Sequence, residues 1–344
     1  MKRFVLIVAG LLAACSQGSD SVVFHAASNP ATLADWNVLD IRQGHLVPSG
    51  GSTVYEVNAP LFTDYAHKMR TIYSPSVAPV RDDGSLDFAV GTVISKTFYY
   101  PENETGTVIT PDNGRDAIDL STHRLIETRL MVLRETGWSP VSYVWNEAET
   151  EARLKRTGAV VPLTLSGTDF AYVVPNENQC AGCHATDMTT KVLHPLGATG
   201  PQIKNRGHMV VSGIMQHGAT AVQADYRDTN LSLDDRARSY LAGNCAHCHN
   251  PVGPADTSGL DLSLSAQVGP EMGRCKPPIA AGSGTGGHKF SIMPGDPDNS
   301  IMTYRLASTD PGSMMPELGR GLVHAEGVAL IREWIAEMDG DCGT

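Results

Sequence analysis

Two short units, Cys180-Ala-Gly-Cys183-His184 and Cys245-Ala-His-Cys248-His249, constrain this 344-residue chain more than any other feature. Thiols at i and i+3 lie on one turn of helix. That spacing lets both form thioethers with the two vinyl groups of one porphyrin, and the adjacent His places its imidazole on the iron. A porphyrin fixed in this way needs no large enclosing pocket. A zinc site would use both C-x-x-C pairs to close one tetrahedron, which leaves the His after each pair unexplained. A thioredoxin-like pair calls for one motif opening a helix after a strand. The sequence therefore predicts two covalently bound haem c groups, with His184 and His249 as iron ligands.

The amino terminus sets the expected compartment. Lys2 and Arg3 precede an apolar run from Phe4 to Leu12, too short to span a bilayer and of signal-peptide length. It ends in Leu12-Ala13-Ala14-Cys15, which resembles a bacterial lipobox. That resemblance implies removal of residues 1–14 and acylation of Cys15, with several acyl chains giving a stable anchor. Ser16 follows the Cys, where an Asp would signal inner-membrane retention. The expected location is the cell envelope, lipid-anchored and periplasm-facing, with the outer membrane favoured. The net charge of -11 argues against nucleic-acid binding and suits docking to a basic redox protein of the envelope. Of the seven Cys, Cys275 and Cys342 remain after lipid and haem are assigned. An oxidising exterior lets them pair as a disulfide, the alternative being two unpaired thiols.

Along the chain, residues 15–33 read as the lipidated Cys and a flexible tether rich in Ser, Asn, Ala and Gly. Residues 34–175 read as β-structure. Val90–Tyr100 is rich in β-branched and aromatic residues, and Leu125–Leu133 and Val141–Trp145 alternate, with turn signals such as Pro111-Asp112-Asn113-Gly114 between the runs. Residues 176–228 form the first haem segment and 229–344 a second haem domain. A helix is predicted over Ser232–Leu241, with Ser232 as N-cap, and another over Ala325–Met338, where Val328, Ile331, Trp334, Ile335 and Met338 share one face. Phe62-Thr63-Asp64-Tyr65-Ala66-His67-Lys68 reads as a polar surface turn.

Arg236 through Cys245 resembles the first helix of class I cytochromes c, and the Trp334 helix resembles the last helix of that fold. The resemblance implies that these helices cross, with Ala237 or Tyr240 meeting Trp334. It also implies a distal thioether from a Met before Pro, here Met315, with Met314 as runner-up. The expected fold is thus α+β and multidomain, an N-terminal β-sandwich or barrel followed by a mainly α-helical cytochrome c-like haem region. For the first haem the candidate distal ligands are His194, His208, Met209, Met215 and His217, or no protein ligand at all.

The order Glu127-Thr128-Arg129-Leu130, Trp138, Tyr143-Val144-Trp145-Asn146, Tyr172-Val173-Val174-Pro175-Asn176 and the first motif resembles an uncharacterised family of bacterial di-haem c-type cytochromes. That resemblance implies haem binding and electron transfer without a known substrate. Strands followed at once by C-x-x-C-H also resemble the haem enzymes whose porphyrin is cross-linked to a lysine, a likeness that points to Lys96. The reading favours an electron carrier. The alternative is a di-haem peroxidase-like or small-molecule oxidoreductase with an open first haem. The lipobox gives a direct test: Cys15→Ser should move the protein from the membrane fraction to the soluble fraction, and continued tight membrane association would contradict the anchor.

Overall fold

The computed structural model describes residues 21–343 apart from 113, 115, 219, 220 and 280. The alternating, β-branched segments form twelve strands among these residues: β1 (Leu39–Arg42), β2 (His45–Pro48), β3 (Thr53–Val54), β4 (His67–Tyr73), β5 (Val93–Asn103), β6 (Gly106–Thr107), β7 (Ile118–Asp119), β8 (His123–Arg134), β9 (Gly137–Trp145), β10 (Ala152–Leu154), β11 (Ala159–Leu165) and β12 (Thr168–Val174). Nine of them make one sheet in the order β10-β9-β8-β5-β6-β11-β12, with β4 also on β5 and β3 on β4. Strand β5 is shared. Residues 93–101 pair with β8, and Glu102 and Asn103 turn away to pair with β6, beyond a register shift at Phe98/Tyr99. The sheet therefore curls into a half-barrel. The β11–β12 turn is made by Ser166 and Gly167, both at positive φ (47° and 83°), the left-handed pair that matches the twist of a two-residue hairpin.

Each face of the sheet has its own core. On one face Met69, Tyr99, Leu130 and Tyr143 pack with Trp36 and Leu46. The smaller sheet β1-β2-β7 covers this side. The Trp36 indole donates to the Tyr143 hydroxyl at 2.7 Å, and that hydroxyl donates to the Pro30 carbonyl at 3.0 Å. Residues 21–33, expected within a loose tether, are docked here: Val22 and Leu33 are buried, and the Leu33 and Leu154 amides donate to the Ala152 and Ala31 carbonyls. The other face carries Phe98, Tyr100, Leu163 and Tyr172, and beside them Ile72, Ile94 and Met131 pack with residues 198–215.

The second half of the chain departs from the expected mainly α-helical cytochrome c-like region. Among the described residues from 176 onward there are five α-helices, α1 (Glu177–His184), α2 (Arg206–Val211), α3 (Leu233–Asn244), α4 (Ile301–Ala307) and α5 (Ala325–Ala336), none longer than 12 residues. Most of the rest is turn and loop, so the described molecule is more sheet than helix. The physical reason lies in short polar side chains that satisfy the backbone locally. Asn250 accepts from the Val252 amide, Asp261 from Ser263 and Asp310 from Gly312. Each turn competes with helix formation. Cys275 and Cys342 are joined by a disulfide, Cα to Cα 5.1 Å, across 67 residues. Closing a loop of that length removes about 4 kcal/mol of unfolded-chain entropy on the chain-entropy account.

Helices α3 and α5 pack against each other. Ser232 caps α3 by accepting from the Asp235 amide at 3.1 Å, a contact worth about 1 kcal/mol. Ala237, Tyr240, Leu241, Leu330, Ile331 and Trp334 share one buried cluster, and the Trp334 indole donates to Asp234 at 2.9 Å. The approach is close because Gly327 has no side chain: a Cβ there would collide with the Tyr240 phenol and the His324 ring. Gly327→Ala should therefore destabilise the protein by about 1–3 kcal/mol through overpacking, read as a lower guanidinium midpoint. An unchanged midpoint would contradict this packing.

Candidate functional site

The first motif is delivered by a strand that runs straight into a helix. β12 ends at Val174, and after Pro175 the side chain of Asn176 caps α1 by accepting from the Gln179 amide at 2.9 Å. Gln179 returns the bond to the Asn176 amide at 3.0 Å, which satisfies two of the helix's free donors. Cys180, Cys183 and His184 all lie on this one short helix. The chain then folds back so that His184 Nδ1 lies 2.7 Å from the His194 carbonyl oxygen, while the His194 amide donates to the His184 carbonyl at 2.9 Å. A carbonyl only accepts, so the imidazole proton sits on Nδ1 and Nε2 keeps its lone pair. Burial is the main cause that lowers the His184 pKa to about 4, with Lys96, Arg129 and His247 adding to it, so the ring is neutral at pH 7.

The second motif solves the same problem with a hydroxyl. α3 ends at Asn244, and the Cys245 amide donates to Leu241. His249 Nδ1 is 3.1 Å from Ser258 Oγ, whose own proton goes to the Ala255 carbonyl at 2.7 Å. The hydroxyl therefore accepts from Nδ1–H, and again Nε2 is left with its lone pair. Burial, then Arg305, lowers the His249 pKa. All four motif cysteines are free thiols. Burial raises the pKa of Cys180 and Cys183, and pushes Cys245 and Cys248 up to about 12. A redox dithiol needs a thiolate near neutral pH, so this is the wrong environment for thioredoxin-like exchange.

The two motifs touch. Cys248 Sγ lies 3.8 Å from the Gly182 carbonyl, Asn250 donates to the Thr186 carbonyl at 3.2 Å, and the Met188 amide donates to Val252 at 2.7 Å. The loop that holds Met315 runs alongside. Leu318 is the nearest side chain to Gly182, and Glu317 lies close enough to Cys248 to perturb its thiol. Met315 is half-buried, its amide donates to the Arg305 carbonyl at 3.0 Å, and Arg305 is the charge that His249 feels.

The segment read as a surface turn is instead a buried joint. Asp64, His67 and Lys68 are each less than a tenth exposed. The Asp64 carboxylate accepts from the Gly321 amide at 2.8 Å and the Leu322 amide at 2.7 Å. Tyr65 Oη accepts from the Ala325 amide at 3.1 Å, the Phe62 ring stacks on His324 at 4.3 Å, and the Phe62 amide donates to the Asn244 side chain at 2.8 Å. Sequence reasoning missed this because polar composition marks turns without saying what will cover them. Asp64 and Tyr65 are consecutive non-glycine residues at positive φ (46° and 61°). Such a pair costs of order 1 kcal/mol or more each and persists only where contacts hold it.

Of the first-site distal candidates, His194, His208 and His217 are exposed, and Met209 and Met215 are buried in the cluster with Ile72 and Ile94. The structure places Lys96, to which the likeness to lysine-linked haem enzymes pointed, near the first motif, and adds Arg129 and Glu127 to it. Lys96, Arg129 and Glu127 on β5 and β8 lie near Cys180, with Lys96 and Arg129 also near Cys183 and His184. Burial, then His249 and Lys96, lowers the His247 pKa to about 4. Arg129 grips Glu127 with two bonds, at 2.9 and 2.5 Å, and the Tyr172 hydroxyl donates to the same carboxylate at 2.7 Å.

One expectation is corrected. The sequence reading made this a metal-binding protein, yet among the described residues no group of three or more His, Cys, Asp or Glu is placed to hold a metal ion. The same finding disposes of a zinc tetrahedron formed by the two C-x-x-C pairs. Cys15 and the signal-peptide segment lie outside the described residues, and no helix among the described ones is long and apolar enough to cross a membrane. For the joint, Asp64→Ala leaves two buried amide donors without an acceptor, at about 2–4 kcal/mol. A urea midpoint equal to wild type would contradict its role. No known protein family, curated protein or solved structure matches the chain.

Proposed function

We propose that the chain is a di-haem c-type cytochrome that carries electrons in the bacterial cell envelope, as the resemblance of its sequence to di-haem cytochromes suggests. The observation that carries the reading is the repeated arrangement at the two motifs. Each presents two unpaired thiols at helical spacing, followed by an imidazole whose Nδ1–H is held by an acceptor and whose Nε2 lone pair is unused. That is the requirement for a porphyrin attached through sulfur with one axial His. A porphyrin supplies four nitrogen donors of its own, so neither site needs a cluster of three protein ligands.

A bound haem would supply one-electron redox chemistry; the chain supplies the rest. Cys180, Cys183, Cys245 and Cys248 would carry the thioethers, and the bonds from His184 to His194 and from His249 to Ser258 fix ring orientation and tautomer. Met315 is the proposed distal donor of the second site. Its support is that the Met315 amide donates to Arg305, whose charge reaches His249, and that Glu317 of the same loop perturbs Cys248. A Met/His pair would raise the potential of that iron relative to two His. The contacts between Cys248 and Gly182 and between Asn250 and Thr186 hold the two sites together, which favours electron exchange within one chain. The proposed anchor at Cys15 would keep the protein at the periplasmic face of a membrane, with a redox protein as partner.

A second reading, a small-molecule oxidoreductase at the first site, is favoured by the exposed or core-packed state of every first-site distal candidate. The test of haem attachment counts pigment. Wild type should carry two covalent haems by pyridine haemochrome, and Cys180→Ser and Cys248→Ser should each weaken or lose one of them. Two fully retained haems in either variant would contradict the assignment.

A further inference from the structure

The register of the large sheet sets three cations abreast. Arg70 on β4 is directly opposite Lys96 on β5, and Lys96 is directly opposite Arg129 on β8. In the next row Lys68 is opposite Phe98, which is opposite Glu127. Directly opposed residues of an antiparallel pair share a face, and like charges there repel. All three cations of Lys68, Lys96 and Arg129 gather over the one Phe98 ring, at 5.7, 5.2 and 4.3 Å from its centroid.

The carboxylates nearby are already committed. Glu127 accepts from Arg129 and Tyr172, and Asp112 accepts from the Lys68 amide at 3.1 Å. Lys68 Nζ donates to the Ala66 carbonyl and Arg70 to the Lys68 carbonyl, neutral acceptors in both cases. Among the described residues Lys96 Nζ has neither a hydrogen-bond nor an ion-pair partner, and Phe98 is its one aromatic neighbour. A largely buried row of basic side chains with too few anions is costly unless an anion joins it or a lysine gives up its proton, and burial, then Arg129 and Arg70, does lower the Lys96 pKa to about 7.

One end of the row lies at a cavity. Lys68 and Arg70 line this space of about 1080 Å³, whose walls also carry Glu56, Asp112, Asp225, Arg227, Asp235 and Arg238. From Arg70 the row leads across Lys96 to Arg129, and Arg129 is the guanidinium felt by Cys180, Cys183 and His184. We propose that Arg70, Lys96 and Arg129 form a binding site for one small oxyanion, facing the first C-x-x-C-H motif and reached through that cavity. A free anion is favoured over a porphyrin propionate, because the row is felt by the attachment thiols and the axial imidazole. In a porphyrin joined through its vinyl carbons the propionates leave from the opposite edge. That last step rests on the haem reading; the charge row does not.

The experiment uses the mature full-length protein with nitrite as probe, followed by calorimetry and by the thermal midpoint. Wild type should bind nitrite saturably at one site per chain and melt at a higher temperature with nitrite present. Lys96→Met should bind about tenfold or more weakly, the loss expected for one charge-assisted bond, while Lys96→Arg should keep binding. Arg70→Gln, at the cavity end, is the second variant should Lys96→Met fail to fold, and it too should weaken binding. No saturable binding by wild type, or equal affinity in a folded Lys96→Met or Arg70→Gln, would overturn the site. An absence of nitrite binding coupled with a shifted first-haem potential in Lys96→Met would assign the row to a propionate and equally overturn it. Pigment is counted on the same samples. A pigmented protein that ignores nitrite refutes only the anion site, and a colourless one that binds it refutes only the haem reading.

Discussion

The architecture depends on one buried carboxylate. Asp64, in a left-handed turn between β3 and β4, accepts the backbone amides of Gly321 and Leu322 more than 250 residues away. Charge-assisted bonds of this kind are each worth about 1.5–3 kcal/mol. With Tyr65 on the start of α5 and Phe62 on Asn244 and His324, this short segment fixes the loop after Met315 and both long helices to the half-barrel. The second motif begins one residue after Asn244 and the Met315 loop ends at Arg320. The joint therefore sets where two parts of the second site lie relative to the sheet. Burial raises the Asp64 pKa, and the bonds from Leu322 and Gly321 pull it back. A raised folded-state value means that the contribution of this group declines as pH climbs past the ordinary carboxylate range.

The sheet in turn brings the first motif to a charged surface. β12 runs into α1, so the thiols and imidazole arrive beside Lys96, Arg129 and Glu127. Burial, then the neighbouring Arg129 and Arg70, lowers the Lys96 pKa to about 7. Burial works against the Arg129 charge, and Glu127 more than offsets it. One face of a half-barrel thus lies over a motif suited to carry a porphyrin, while the second motif leans against the first through Cys248 and Asn250. A carrier and a small-molecule enzyme could both be built on this frame, and what occupies the space beside Lys96 separates them.

Much of this was legible in the sequence. Strands β5, β8 and β9, the Ser232 cap, and the helix over residues 325–336 come from local periodicity and capping, which act over a few residues. The proposed motif roles rest on covalent spacing. What failed to show were long-range events. No local pattern says that Asp64 will meet Gly321, or that Arg70, Lys96 and Arg129 will stand abreast, because register is settled by pairing across 26 and 33 residues. The helical expectation for the second half failed for a related reason. A helix before a motif and another at the end suggested a familiar bundle, yet Asp, Asn and Ser turns between them satisfy the backbone without helices. His247 was overlooked because it sits inside a motif whose other positions had already been given tasks.

The central claim is that porphyrins are joined to the chain through the four motif cysteines. Intact-mass measurement of denatured wild-type protein, paired with its reduced visible spectrum, tests this most directly. The account predicts the mature chain plus two haem masses, and sharp reduced bands that survive denaturation. A mass equal to the bare polypeptide, with no visible absorption, would contradict it.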